Sequence, residues 1–154
     1  MKHGFRVYID TSVFGGCSEK EFGVWSNALL SEISKGKKTA VISDITIKEL
    51  SLAPREVRSV FEAIPEKHRE IVALTKECEA LAQEYIKEKA VSPKFEGDAY
   101  HIAIATVCRA DVLVSWNFKH MVNVRRIQRY NAVNLKHGYS MIDIRSPREV
   151  IDEE

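Results

Sequence analysis

The spacing of apolar residues predicts strands and helices in alternation along the chain. Phe5-Arg6-Val7-Tyr8-Ile9 is a short β-rich run that stops at Asp10, and Thr11-Ser12 suit a turn at the strand end. Phe22, Trp25, Leu29 and Ile33 recur at steps of three and four, with Gly36 beyond them as a stop, so a helix is expected over 19–35. A second strand is read over 39–42, after which Ser43 or Asp44 can cap a short helix that carries Glu49 and ends near Pro54. Val57, Val60, Phe61 and Ile64 mark a further helix closed by Pro65, and residues 69–74 read as a short extended piece. An amphipathic helix follows over 75–89, with Cys78, Leu81, Ala82, Tyr85 and Ile86 inward. From Asp98 to Arg109 the apolar residues leave almost no polar face, which predicts a helix buried on most sides. Val112 to Trp116 is a strand by composition and ends at Asn117. A basic helix over 122–135, a last strand over 141–144 and a capping box at Ser146-Pro147-Arg148-Glu149 complete the chain.

Such alternation calls for right-handed crossovers and a mainly parallel sheet covered on both faces, an α/β fold in the form of a three-layer α/β/α sandwich. A length of 154 residues, 45% of them hydrophobic, fits a single domain over 1–154. No run approaches the roughly 20 uncharged apolar residues of a membrane span, and Met1 to Asp10 leads into a strand-like run, so a cytoplasmic protein with no membrane partner is expected. Cys17, Cys78 and Cys108 are odd in number and widely spaced, which suits reduced thiols better than a disulfide framework or a C-x-x-C motif.

The net charge of +1 would by itself argue against a nucleic-acid partner, but the charges are segregated. Between Asp111 and Asp143 there is no acid at all, while Lys119, Arg125, Arg126, Arg129 and Lys136 are all basic. A surface of that kind can hold an anionic ligand even when the total charge is near zero.

Asp10 falls at a strand end, Glu49 in a short helix and Asp98 in the first turn of a buried helix. In an open parallel sheet these places can converge beyond the carboxyl ends of the strands, where ligand sites lie. Each acid also has an ordinary reading, as a turn residue, a solvated helix position or a first-turn acid on the helix dipole. Together in apolar surroundings they repel one another and need a compensating cation. Hard oxygen donors without a Cys or His cluster suit Mg²⁺ or Mn²⁺ better than zinc.

Four runs carry a resemblance. Val7-Tyr8-Ile9-Asp10-Thr11-Ser12, Ser43 to Leu50, Gly97-Asp98-Ala99-Tyr100-His101-Ile102-Ala103-Ile104-Ala105 and Leu113-Val114-Ser115-Trp116-Asn117-Phe118-Lys119-His120 resemble, in order and spacing, the successive motifs of the PIN-domain family. The resemblance spans nearly the whole chain. It implies a Mg²⁺- or Mn²⁺-dependent endoribonuclease that leaves a 5′-phosphate, and it brings in VapC-type toxins, whose partners are RNA and an antitoxin protein; a homodimer stays open. Many active members carry a further Asp where this chain has Asn117, in a Ser-Trp-Asn-x-Lys-His form that resembles a recurrent variant of the family. Asp10 and Asp98 are thus expected to ligate the metal, Glu49 to ligate it or orient a water, and Asn117 to position that water or the phosphate. Thr11, Ser12 and Ser115 could anchor the carboxylates, and Lys119, Arg125, Arg126 and Arg129 could contact RNA phosphates. His101, one turn after Asp98, could hydrogen-bond a site carboxylate, though on so apolar a helix it reads first as a core histidine, and Trp116 could stack on a base but reads first as core packing. The alternative is a catalytically weak module that binds RNA or a protein partner. A phosphotransfer receiver fits poorly, because its acid pair would lie next to the first strand.

Overall fold

The computed structural model describes residues 4–152. β1 (Phe5–Ile9) is the central strand of a five-stranded sheet ordered β3-β2-β1-β4-β5. Its neighbours are β2 (Lys38–Ser43), β3 (Arg69–Val72), β4 (Val112–Val114) and β5 (Ile144–Arg145), and every pairing is parallel. Parallel neighbours need crossovers, and the connecting segments supply α1 (Thr11–Gly16), α2 (Gly23–Ser34), α3 (Asp44–Ser51), α4 (Arg55–Glu62), α5 (Lys76–Lys87), α6 (Glu96–Val107) and α7 (Val124–Lys136). A last short helix, α8 (Pro147–Val150), closes the described chain with the capping box expected at Ser146 and Glu149.

The pleat of β1 sorts the core into two layers. Val7 and Ile9 face one apolar cluster with Val13, Phe14, Leu29, Ile33 and Leu50 from α1, α2 and α3. Tyr8 faces the opposite cluster, built from residues such as Leu81, Tyr85, Ile102, Ala103, Tyr130 and Val133 of α5, α6 and α7. Helices therefore cover both faces, and the fold is the expected three-layer α/β/α sandwich. No helix among the described residues is long and apolar enough to cross a membrane.

Several boundaries differ from the sequence reading. Thr11-Ser12 do not form a turn but open α1, whose Val13 and Phe14 are buried; a six-residue helix ending in two glycines is too short to show a helical period. Gly16 is required there, since a Cβ would lie 2.6 Å from Trp116 Nε1 and 2.9 Å from Ser26 Oγ. The second helix starts at Gly23, not near residue 19. β4 ends at Val114: the Ser115 N–H still donates to Arg145 C=O, but that of Trp116 leaves the sheet for Ser12 Oγ. The last strand is Ile144–Arg145, not 141–144: Asn131 takes both backbone groups of Ile142, accepting from its N–H at 2.8 Å and donating to its C=O at 3.0 Å.

The chain runs from β1 outward through β2 to β3 and then returns to β4 on the other side of β1. That reversal leaves a crevice at the carboxyl ends of β1 and β4. Ile9 is in register with Val114, so Asp10 and Ser115 leave their strands side by side.

Candidate functional site

Asp10 follows the last residue of β1 and caps α1 from an extended backbone, yet its carboxylate makes no capping bond. Its Oδ2 instead accepts from Ser12 Oγ at 2.7 Å and Ser115 Oγ at 2.8 Å. Ser115 Oγ also accepts from the N–H of Asn117, and Ser12 Oγ from that of Trp116. Two hydroxyls thus tie the ends of β1 and β4 to one carboxylate.

Glu49 lies in the second turn of α3, which Ser43 caps through Thr46 N–H. Its Oε1 accepts from Thr11 Oγ1 at 2.7 Å and from His101 Nε2 at 2.8 Å. His101 was expected to be a core residue. It is buried in α6, but it belongs to the site as well, with Nε2 3.7 Å from Asp10 Oδ1 and Nδ1 2.7 Å from Tyr8 Oη. Tyr8 gives its phenolic proton to Ser43 Oγ at 2.8 Å, so Nδ1 must donate to Tyr8, and Nε2 faces carboxylates that can only accept. A ring that donates from both nitrogens is an imidazolium. Burial works against that charge, but the Glu49 bond and the Asp10, Glu49 and Asp98 charges outweigh it and raise the His101 pKa. Burial likewise works against the Glu49 charge, and the bonds from His101 and Thr11 outweigh it to lower the carboxyl pKa. His101 thus hydrogen-bonds a site carboxylate, the role ranked second to a core histidine in the sequence, and the cluster carries its own counter-cation. Two signals pointed to this in the sequence, the single turn from Asp98 to His101 and the shared strand face of Tyr8 and Asp10.

Asp98 sits in the first turn of α6, half-buried. Burial, followed by the charge of Asp10, pushes its pKa up to about 6. Asn117 Nδ2 donates to Asp98 Oδ2 at 3.3 Å, and Asn117 Oδ1 accepts from the N–H of His120 at 3.0 Å. The amide expected to hold a water or phosphate is thus engaged at both ends, bracing Asp98 against the loop after β4.

Each acid has one oxygen committed and one open. Asp10 Oδ1, Glu49 Oε2 and Asp98 Oδ1 accept no hydrogen bond among the described residues. Three uncommitted hard oxygens on one edge are a donor set suited to Mg²⁺ or Mn²⁺. They stand apart, however: among the described residues, the group of three whose ligand atoms all lie within 4.8 Å is Glu84, Glu88 and His137. Those three are already an ion-paired set on α5 and the end of α7, with Lys136 Nζ 3.1 Å from Glu88. A single ion at the Asp10 edge would draw the carboxylates inward.

A broad open hollow of about 1160 Å³ lies at the opposite, amino-terminal edge of the sheet beside Phe5, Trp25, Lys38, Arg145 and Arg148. Its charges answer one another, with Lys38 paired to Glu32 and Asp152 and Arg145 to Asp143 and Glu149, so volume and chemistry part company here. The acids line a shallow crevice, in which Asp10 is buried and the Glu49 side chain is 45% exposed.

The basic helix divides its residues. Arg126 donates to Ala90 C=O at 3.0 Å and its charge acts on the His120 imidazole, whereas Arg125, Gln128, Arg129 and Ala132 line a separate shallow groove. Lys119 is exposed. Trp116 is stacked on Phe22 at 4.1 Å and donates to Ser26, so its indole is held inside the protein.

No family model matches the chain, and no curated protein matches it. Six chains of solved structures match, among them one from the crystal structure of VapBC2 from Rickettsia felis bound to a DNA fragment from their promoter. The likeness covers 92% of this chain and 98% of that one, with a TM-score of 0.59 and 17% sequence identity. At that identity it is a likeness of fold, and it agrees with the PIN-like α/β/α architecture.

Proposed function

We propose, from a PIN-like fold as premise, that the chain is a Mg²⁺- or Mn²⁺-dependent endoribonuclease that hydrolyses RNA phosphodiester bonds, acting as the toxin of a toxin–antitoxin pair. The observation that carries this reading is the meeting of Asp10, Glu49 and Asp98 at the carboxyl edge of the sheet, each with one oxygen held by the protein and one open. Those open oxygens would hold the ion. When bound, a divalent ion supplies Lewis acidity and lowers the pKa of a water nucleophile.

The chain's own residues supply the rest. Ser12 and Ser115 fix the Asp10 carboxylate, Thr11 and His101 fix Glu49, and Asn117 fixes Asp98, so the donors are oriented before an ion arrives. His101, as an imidazolium bonded to Glu49 and 3.7 Å from Asp10, offsets part of the acids' charge. Lys119 and Arg126, whose charges both act on His120 in the loop that follows Asn117, would contact phosphates. The toxin role is supported by the likeness to a chain of a VapBC2 structure.

A second reading, a weak or inactive module that binds RNA or a protein, is favoured by Asn117. A fourth acid is absent there, and the amide is engaged by Asp98 and His120. Cleavage of mixed RNA with Mn²⁺ or Mg²⁺ separates the two. Wild type should cleave, and Asp98→Asn or EDTA should reduce cleavage by at least a hundredfold. Activity that survives both treatments would exclude the metal-dependent mechanism, and RNA binding without cleavage would favour the module.

A further inference from the structure

His120 is the one residue, among those described, with a buried side-chain nitrogen that has no hydrogen-bond partner. The atom is Nδ1, and the residue is 7% exposed. Its ring lies on Phe95, with centroids 3.7 Å apart and planes tilted by 32°. The backbone is pinned on both sides: the N–H donates to Asn117 Oδ1, and the C=O accepts from Tyr130 Oη at 3.1 Å. Phe95 precedes Asp98 by three residues and Asn117 bonds Asp98, so the imidazole is held one side chain away from the candidate site.

Folding alone does not account for an imidazole in that place. A phenyl ring would fill the same slot against Phe95 without burying a nitrogen that nothing bonds. Nε2 also has no partner among the described residues. Burial, with the positive charges of Arg126 and Lys119, lowers the imidazole pKa below its ordinary value, so above neutral pH the ring carries a single N–H. A neutral donor beside two cations and an acidic edge matches one ligand chemistry, an anionic oxygen reached by a hydrogen bond.

We propose that His120 donates from Nε2 to a phosphate oxygen of the RNA nucleotide next to the scissile bond, forming with Arg126 and Lys119 a phosphate subsite on the Asn117 side of the acids. This rests on the nuclease reading for its substrate but not for its test. Binding of a fluorescein-labelled single-stranded RNA oligonucleotide is measured in EDTA, where cleavage plays no part, for wild type, His120→Phe and His120→Gln, alongside thermal melting. His120→Phe keeps the stacked ring and removes both nitrogens; it should raise Tm by about 3 °C and weaken binding about tenfold. His120→Gln keeps an N–H at similar reach and should stay within about threefold of wild type. The slope of log Kd against log salt should be the same for His120→Phe as for wild type, because no charge is lost.

Wild-type affinity retained by His120→Phe would overturn the subsite, as would a wild type that binds no oligonucleotide. Should His120→Phe not fold, the wild-type ¹H–¹⁵N signals of the His120 ring decide the matter: a shift on adding oligonucleotide is expected, and no shift overturns the proposal. A wild type that never cleaves RNA, yet loses affinity on His120→Phe, would sink the nuclease reading and leave this subsite standing.

Discussion

Asp98 shows how one side chain can work against folding and for function. Its pKa of about 6 lies above the ordinary Asp value of 3.8, so protonated Asp98 suits the folded chain better than ionised Asp98. The stabilising contribution is fully present below pH 3.8 and is lost as the pH rises through about 6. Discounted for the solvent that reaches this half-exposed group, the penalty above pH 6 is about 1 kcal/mol. Asp98→Asn in EDTA should therefore raise Tm by about 3 °C at pH 7.5 and leave it nearly unchanged at pH 4, as read by circular-dichroism melts. Mn²⁺ should then raise the Tm of wild type but not that of the variant. His101→Ala leaves Tyr8 and the acids without their shared cation and should lower stability by about 3 kcal/mol in urea unfolding. His101 was hard to recognise because α6 is apolar on nearly every side, which marks a buried position but not which buried groups converge on it.

At the scale of elements, long periodic segments were legible and short ones were not. α5 and α7 lie within two residues of their expected bounds, with Thr75 and Asn123 as caps. The short elements depend on single contacts. The approach to β5 is held by Asn131, which bonds both backbone groups of Ile142 and accepts from Asn134. Asn131→Ala should lower stability by about 2 kcal/mol, measured by urea unfolding, because it leaves a buried N–H and C=O unpaired. A period-two pattern does not reveal such a side chain standing in for a strand, so Met141, expected in the strand, is exposed.

Across the whole molecule, function depends on where charge is placed rather than on its sum. The acids lie at the carboxyl edge, with His120 linked to Asp98 through Asn117 and Arg126 acting on His120, while Arg125 and Arg129 face a groove of their own. If RNA follows the crevice, Arg126→Ala should flatten the slope of log Kd against log salt by about 0.7, the value for one single-strand phosphate contact. Arg125→Ala with Arg129→Ala should change it less. An equal or larger change for the second pair would move the RNA path onto the outer groove. The amino-terminal edge, despite its broad hollow, should show no effect: Arg145→Ala and Arg148→Ala should leave RNA affinity within about twofold of wild type.

The succession of strands and longer helices, the parallel three-layer architecture and the strand ends where acids fall are all legible in the chain. These follow from local periodicity and from the crossovers that parallel strands require. The sequence also marked Asp10, Glu49, Asp98 and Asn117 as residues worth watching. What each of these touches is set by packing. The register of β1 with β4 sets Ser115 on Asp10, and the packing of α6 on the sheet turns His101 into a cation among the acids. The loop after β4 spends the Asn117 amide on Asp98 and leaves the His120 ring without a partner. Such contacts join residues far apart along the chain, and no local pattern records them, because a side chain's partners depend on how whole elements pack.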